Sequence, residues 1–305
     1  MNEPERQTDA VTPPAMPSAR ELEQARAPRR LSLVLSDGYQ TGVLHHRGRG
    51  ATRRLPVLYV HGIQSHPGWF VGSSAALADD GHDVFQVVRR GSGDNVVARG
   101  HAASAEQLLD DVWTACRFVL EHTGCRRLHL LGASWGGKLL ACYAADGRRS
   151  AEIASLTMIA PGIAPTADVS VFTKLKIAAA LLMSPRQLFD MPLNDVELFT
   201  DNEPMRQYLR SDPCRLLRAT ARFLYASRRL DVRLRSAPRG TLAMPVTLVL
   251  ASKDRIIDNG ATEAVVQRLS RNLHVSLLDG AHTLEFEPEP ANLYRVLAEA
   301  MAEPL

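Results

Sequence analysis

The stretch from Leu128 to Leu139 constrains the fold more than any other part of this chain. An apolar run typical of a buried strand meets the pattern Gly-x-Ser-x-Gly at residues 132–136, and an apolar helical pattern follows at once. This order is typical of a nucleophile elbow, a sharp turn from strand to helix that exposes one serine hydroxyl. The glycines on either side of Ser134 would let the strand and the helix approach each other closely. The stretch therefore predicts a reactive serine at the carboxyl end of a strand.

The composition is that of an ordinary globular protein. With 305 residues, 45% of them apolar and 23% charged, the chain suits one large α/β domain with an insertion, or two small domains. The net charge of +3 is small for this length, and the basic clusters are short and lack interleaved aromatic residues. We therefore expect no nucleic-acid partner.

The chain shows no sign of disulfides, metal ligands or a membrane anchor. Its four cysteines have no C-x-x-C spacing, so free thiols that behave as small apolar side chains are expected, with no disulfide and no metal site. No apolar run approaches the roughly 20 residues that span a bilayer. Residues 1–30 are rich in Pro, Ala, Glu and Arg without an apolar core, which predicts a disordered tail. A cytoplasmic location is expected.

Strand-like and helix-like segments alternate along most of the chain. Strands that alternate with helices are typical of an α/β fold with a mostly parallel, doubly wound sheet. The predicted strands, which are short apolar or alternating runs, cover residues 31–35, 39–46, 55–60, 84–88, 127–131, 153–160, 246–251 and 275–278. The predicted helices cover residues 73–80, 105–122, 138–145, 260–270 and 289–301.

The alternation stops between residues 164 and 242. This segment has no clear strand, and its helix-like pieces are interrupted by prolines at 185, 192, 204 and 213. We interpret residues 164–242 as an inserted helical cap. The core then has a first part at residues 31–163 and a second part at residues 243–305.

Two further residue types complete the chemistry that Ser134 needs. A serine hydroxyl is a poor nucleophile near neutral pH unless a histidine takes its proton and a carboxylate holds that histidine in place. Asp254 follows the strand at 246–251, and His282 follows the strand at 275–278. Because the carboxyl ends of parallel strands share one edge of a sheet, we expect Ser134, Asp254 and His282 to form a catalytic triad. Asp258 is a rival carboxylate, but it precedes a predicted helix and is better explained as its cap.

An oxyanion formed at this serine would need two N–H donors. One is the backbone N–H of Trp135, the first residue of the helix after Ser134. The second is expected after an earlier strand, where Gly62 lets the backbone turn and Ile63 supplies the N–H. We expect His61 to support this loop through hydrogen bonds rather than to react.

These residues carry a resemblance to a known family. The chain resembles the α/β-hydrolase superfamily, and within it the monoacylglycerol lipase and lysophospholipase-like branch, from about Leu31 to the C-terminus. That branch carries His-Gly-x-Gly-x-His-x-x-x-Tyr, and residues 61–70 read HGIQSHPGWF. The chain departs at Gln64, where the branch has Gly, and at Ser65, where an acidic residue is usual. After its next strand the branch has an Asp and a Gly-x-Gly-x-Ser loop. Residues 88–93 read VRRGSG, which keeps the glycines and lacks the Asp.

The resemblance implies a mostly parallel eight-stranded sheet with a helical cap, and a serine esterase that needs no metal or organic cofactor. The substrate would be a small carboxylic ester with an apolar acyl or alcohol part, of the monoacylglycerol or lysophospholipid class. Thioester hydrolysis and acyl transfer use the same triad and remain alternatives. A non-catalytic partner-binding protein on this fold is a further alternative, and Ser134 at the elbow argues against epoxide hydrolysis. No oligomeric state is implied.

The candidate pocket residues come from the loop after the third strand and from the cap; they are His66, Phe70, Phe172 and Leu181. His66 suits either the scaffold of its loop or the rim of a pocket. The apolar cap residues would either pack the cap onto the core or line an acyl pocket beneath a movable lid. A charged head group would meet Arg89 or Arg90.

Overall fold

The computed structural model of the chain describes residues 27–147 and 152–302. Ten strands are present in these ranges, eight of them in one sheet and two in a small separate sheet. The predicted tail at residues 1–30 lies outside the described residues as far as residue 26, and the first strand begins at Arg29. The strands are β1 (Arg29–Val34), β2 (Gln40–His46), β3 (Val57–Val60), β4 (Val84–Val87), β5 (Leu128–Ala133), β6 (Ile153–Ile159), β7 (Leu188–Asp190), β8 (Arg218–Thr220), β9 (Leu242–Ala251) and β10 (Ser270–Leu278).

The main sheet has the order β1-β2-β4-β3-β5-β6-β9-β10. Strand β2 runs antiparallel to both of its neighbours, whereas the pairs from β4 to β10 are all parallel. Every residue of β3, β5 and β6 is buried, as expected for central parallel strands covered on both faces. The predicted mostly parallel eight-stranded sheet is confirmed.

Within the described residues, eight α-helices lie between or after these strands. The helix Ala105–Thr123 illustrates how the sequence sets the bounds, since the Ser104 hydroxyl caps its first turn and Gly124 ends it in the left-handed conformation. The helices are α1 (Val71–Asp79), α2 (Ala105–Thr123), α3 (Trp135–Ala144), α4 (Val171–Met183), α5 (Glu203–Ser211), α6 (Ala221–Ser236), α7 (Asn259–Leu269) and α8 (Ala291–Ala300). Helix α1 packs against α8, and α2 packs against α3.

The segment at residues 164–242 carries α4, α5 and α6, as well as the antiparallel pair of β7 and β8. The prediction of no strand here was wrong, because a pair of three-residue strands is too short to show an alternating pattern. Helix α6 packs against both α3 and α4, so it joins this segment to the core. No helix within residues 27–147 or 152–302 combines the length and the apolar character that crossing a bilayer requires.

Candidate active site

Ser134 lies at the tight turn between β5 and α3. Its φ of 51° and ψ of −123° are unfavourable for a residue with a side chain, and the close packing around the turn holds them. A Cβ atom on Gly136 would lie 2.2 Å from the carbonyl oxygen of Val60, and one on Gly132 would lie 2.7 Å from the backbone of Gly137. Both glycines are therefore required for α3 to pack against the sheet, as the sequence predicted.

Three loops bring Ser134, Asp254 and His282 together. The Nε2 atom of His282 lies 2.9 Å from the hydroxyl oxygen of Ser134, and its Nδ1 atom lies 2.8 Å from Oδ2 of Asp254. The side chains of His282 and Asp254 are 3% and 0% exposed, so bulk water does not compete for the hydrogen bond between them.

Backbone groups hold the carboxylate of Asp254. Its Oδ1 atom accepts hydrogen bonds from the N–H groups of Ile256, at 2.8 Å, and Ile257, at 3.0 Å, which leaves Oδ2 free for the imidazole. The rival carboxylate of Asp258 accepts instead from the N–H of Ala261 and caps α7, as predicted.

The two residues predicted to supply the oxyanion N–H groups, Ile63 and Trp135, line the same cavity as Ser134. Their N–H groups donate to no acceptor in the described part of the chain, so both are available to a ligand. A Cβ atom on Gly62 would lie 3.2 Å from Cβ of Ser134, which shows how closely this loop approaches the elbow.

His61 is fully buried behind the loop. Its Nδ1–H donates to the carbonyl oxygen of Gly62, and its Nε2 accepts from the backbone N–H of Arg89. Burial, reinforced by the charge of Arg89, lowers the pKa of His61 well below its ordinary value and keeps the ring neutral. These contacts agree with the predicted structural role.

Arg89 places a buried guanidinium behind the same loop. One nitrogen, Nη2, donates to the carbonyl oxygens of Gly62, at 2.7 Å, and Ile63, at 2.9 Å. Its Nε and Nη1 groups are buried without a hydrogen-bond partner in residues 27–147 and 152–302. Burial lowers the pKa of Arg89 to about 9, so the side chain stays charged at neutral pH.

Neither predicted arginine meets the cavity. Arg89 lies behind the loop, and Arg90 pairs with the carboxylates of Asp37 and Asp111. A charged head group in the cavity would therefore contact other residues.

The cavity in front of Ser134 has a volume of about 750 Å³. The side chains that line it from α4 are largely apolar and include Ile177, Ala178 and the predicted pocket residue Leu181. Lys138 of α3 and Asp231 of α6 line it on another side. The cavity thus combines an apolar wall with a charged one.

The other three predicted pocket residues lie outside this cavity. Phe70 is buried in the core, with its ring 5.3 Å from that of Tyr59. Phe172 is 66% exposed on α4, where the ammonium of Lys176 lies over its ring. Phe70 is taken up by packing in the core and Phe172 stays on the exposed surface, so neither ring lines the cavity.

His66 fastens the segment at residues 164–242 to the core. Its Nε2–H donates to Oδ2 of Asp212 over 3.0 Å, and the indole N–H of Trp69 donates to the same oxygen over 2.8 Å. Cys214 lies beside them, and the three ligand-type atoms of His66, Asp212 and Cys214 lie within 4.8 Å of one another. The hydrogen bonds already account for this arrangement, in which His66 acts as a scaffold.

A family model described as serine aminopeptidase, S33 (Hydrolase_4) matches residues 51–289, which is most of the chain. The chain belongs to this family. The match covers Ser134, Asp254 and His282, and it confirms the predicted membership of the α/β-hydrolase superfamily. A search of curated proteins finds no match to the sequence.

Solved structures of two lipases and an esterase share the fold. A soluble variant of monoglyceride lipase from Saccharomyces cerevisiae superposes with a TM-score of 0.76 at 20% identity, over 90% of this chain and 96% of that one. Monoacylglycerol lipase from Paleococcus ferrophilus gives a TM-score of 0.68 at 19% identity, over 82% and 96%. An esterase from Thermogutta terrifontis gives 0.63 at 18% identity, over 89% and 97%.

Sequence reasoning about this S33 family member missed Lys138 and gave Arg89 the wrong role. Lys138 stands inside an apolar helical pattern, where a lone lysine is a sign of a buried partner, but the partner Asp231 is 93 residues away. Arg89 stands directly after a buried strand, where a charged residue is unusual. Only the fold shows what either side chain contacts.

Proposed function

We propose that this S33 family member hydrolyses carboxylic esters through an acyl-enzyme on Ser134. The observation that carries the proposal is the position of His282, which contacts the Ser134 hydroxyl on one side and the Asp254 carboxylate on the other. A base in contact with a serine, itself oriented by a carboxylate, has the arrangement that nucleophilic acyl transfer needs.

The reaction would proceed in two halves. His282 takes the proton of Ser134 as the serine oxygen attacks the ester carbonyl, and the tetrahedral oxyanion accepts hydrogen bonds from the N–H groups of Ile63 and Trp135. Collapse expels the alcohol, which receives the proton from His282, and leaves the acyl group on Ser134. Water, deprotonated by His282, then attacks the acyl-enzyme and releases the acid. Each donor of the oxyanion site would contribute about 3 kcal/mol to the transition state.

The proposed substrate has an apolar part. The wall formed by Ile177, Ala178 and Leu181 supports this, since an alkyl or aryl group would bury its surface there. In this proposal residues 164–242 act as the cap, because α4 and α6 supply much of the wall around Ser134.

Cleavage of an amino-terminal peptide bond is a second candidate, because the matching family model is described as a serine aminopeptidase. Such an enzyme must bind the ammonium of its substrate with a carboxylate. The carboxylates that line the cavity, Asp168 and Asp231, are already paired with Lys174 and Lys138. The absence of an unpaired carboxylate among the described lining residues favours the ester.

The test is intact-mass analysis after treatment with a fluorophosphonate. We expect one adduct on the unmodified protein and none on Ser134→Ala. Ser155→Ala is the matched control, because Ser155 also lies 2.7 Å from a histidine, His129, but is buried away from the cavity. An adduct that persists on Ser134→Ala, or no adduct on the folded protein, would refute the proposed nucleophile.

Two series of substrates distinguish ester hydrolysis from peptide hydrolysis. p-Nitrophenyl esters of increasing chain length should be hydrolysed with a Ser134-dependent rate, whereas amino-acid p-nitroanilides should not. Faster cleavage of the anilides would favour the aminopeptidase.

A further inference from the structure

A polar network crosses one wall of the cavity between α3 and α6. The ammonium of Lys138 lies 2.8 Å from Oδ1 of Asp231 and 3.3 Å from Oγ of Ser227. The same Ser227 oxygen accepts a hydrogen bond of 2.8 Å from the indole N–H of Trp135. Lys138, Ser227 and Asp231 all line the cavity that holds Ser134, and the Lys138 side chain is only 5% exposed.

The groups of this network that can still form a hydrogen bond with a ligand are donors. Ser227 accepts two hydrogen bonds, and its own hydroxyl proton meets no acceptor in the described ranges. Lys138 uses two of its three protons. Each oxygen of Asp231 already faces a cation, with Lys138 at one oxygen and Arg228 3.6 Å from the other. The wall therefore offers protons to a ligand that has acceptor atoms.

The charged residues around the cavity also favour a ligand with negative charge. Among the described lining residues, cations exceed carboxylates by two: the cations are Lys138, Lys174, Arg228 and Arg235, and the carboxylates are Asp168 and Asp231. A neutral ester leaves this excess unmatched, and an ammonium would be repelled by it. A ligand with one or two negative charges would balance it.

The position of Lys138 limits where that negative charge would sit. Lys138 follows Ser134 by four residues on α3, which is one helical turn or about 6 Å along the axis. Lys138, Ser227 and Ser134 line one cavity, and Ser227 also accepts from the indole of Trp135, the residue after Ser134, so the anionic group would lie near a carbonyl group held at Ser134. The apolar wall of α4 remains available for the rest of the molecule.

We propose that Lys138 and Ser227 form a subsite for an anionic group, a carboxylate or a phosphate, carried by the ester substrate close to its scissile bond. The proposal rests on the proposed ester hydrolysis and narrows it to anionic, amphiphilic esters. Lys138 and Ser227 are binding residues in this account, and Asp231 holds the ammonium in place.

Two pairs of substrates with equal acyl length test the subsite. The first pair is p-nitrophenyl hexanoate and the mono-p-nitrophenyl ester of adipic acid, which differ by a carboxylate on the acyl side. The second pair is hexanoylglycerol and hexanoylglycerol phosphate, which differ by a phosphate on the alcohol side. We expect kcat/KM to favour the anionic member of at least one pair by about tenfold or more, as a hydrogen bond to a charged group predicts. The pair that responds tells whether a carboxylate or a phosphate is recognised.

Variants assign the preference to this network. Lys138→Met combined with Asp231→Asn removes both charges and leaves no buried carboxylate unpaired, so the preference for the anionic member of each pair should vanish. Arg295→Met combined with Glu299→Gln is the matched control, since this exposed ion pair lies outside the cavity and its loss also leaves the net charge unchanged. Equal kcat/KM for both members of both pairs in the unmodified protein, or a preference that survives the double variant, would overturn the subsite while leaving ester hydrolysis intact.

Binding measurements test the subsite independently of catalysis. Ser134→Ala should bind monomethyl adipate or hexanoylglycerol phosphate about tenfold or more tightly than their neutral partners, methyl hexanoate and hexanoylglycerol, in isothermal calorimetry. Adding the Lys138→Met and Asp231→Asn changes should abolish this difference. Equal affinity within both pairs would overturn the subsite whether or not Ser134 is reactive.

Discussion

The guanidinium carbon of Arg89 lies over the indole of Trp135, 4.6 Å from the centroid of its ring. Through Nη2 the same side chain donates to the carbonyl oxygen of Gly62, which belongs to the peptide group that carries the N–H of Ile63. Arg89 therefore contacts both residues proposed to bind the oxyanion. A donor at a peptide carbonyl polarises the N–H of that peptide, so a buried positive charge here would strengthen the site.

Replacing Arg89 with Met should lower kcat about ten- to a hundredfold with little change in KM, because a hydrogen bond from a charged group to the oxyanion loop is lost. The thermal midpoint should change little, since two of the N–H groups of Arg89 are buried without a partner among the described residues. Arg90→Lys is the control. It weakens the pairing with Asp37 and Asp111 and should lower the midpoint rather than kcat. Steady-state kinetics beside thermal unfolding distinguishes the two, and an unchanged kcat in Arg89→Met would contradict this role.

Asp254→Asn should reduce kcat by about 10⁴-fold through the wrong imidazole tautomer. The N–H groups of Ile256 and Ile257 would hold the amide oxygen at the position of Oδ1, so the amide NH₂ would face His282. Nδ1 of His282 must then accept this hydrogen bond, so the imidazole proton sits on Nε2. A protonated Nε2 cannot take the proton of Ser134. Asp258→Asn, which alters only the cap of α7, should leave kcat within about twofold. Similar losses in both variants would argue against the assigned orientation.

Gly136→Ala should destabilise the fold by about 3 kcal/mol or more, because the new methyl group would overlap the carbonyl oxygen of Val60 at the base of the elbow. Gly260 is a matched position, since each glycine is the second residue of its helix. A Cβ atom on Gly260 would have its nearest neighbour 3.5 Å away, so Gly260→Ala should stabilise the protein by about 0.5–1 kcal/mol. Urea denaturation measures both, and equal effects would contradict the packing argument.

The stability of the protein should fall as the pH is lowered below about 6.5. Burial, with a smaller effect of His82, lowers the pKa of His129 to about 3, and burial also lowers the pKa of His46. Between the ordinary value of 6.5 and the lowered value, the unfolded chain binds protons that the native protein does not. Stability is therefore present above the unfolded pKa and is lost as the pH falls, until it levels off near the folded pKa of His129.

His129→Gln should make this loss shallower by up to about 1.4 kcal/mol per pH unit, since one proton-binding group is removed from the unfolded state. Urea denaturation at several pH values between 7 and 4 gives the slopes. Parallel slopes for the unmodified protein and His129→Gln would refute the prediction.

Much of the fold could be predicted from local patterns. The apolar runs before Ser134 and before Asp254 mark central strands, and the glycines around Ser134 mark a turn that no other residue would permit. The bounds of the strands were predicted less accurately. Strand β9 begins at Leu242 and β10 at Ser270, both earlier than predicted. Edge strand β10 is only partly buried, so its residues do not form a continuous apolar run.

The sequence alone determined the type of sheet, the elbow and the three residues proposed to act on an ester, since each depends on which residue follows which along the chain. The tertiary structure decided what surrounds them. In the structure Phe70 and Phe172 lie outside the cavity, and Arg89 lies behind the loop of Ile63. Lys138 pairs with Asp231, which is 93 residues away in the sequence. The physical reason is that local backbone preferences act over a few residues, whereas burial and charge pairing depend on which distant segments the sheet order makes neighbours.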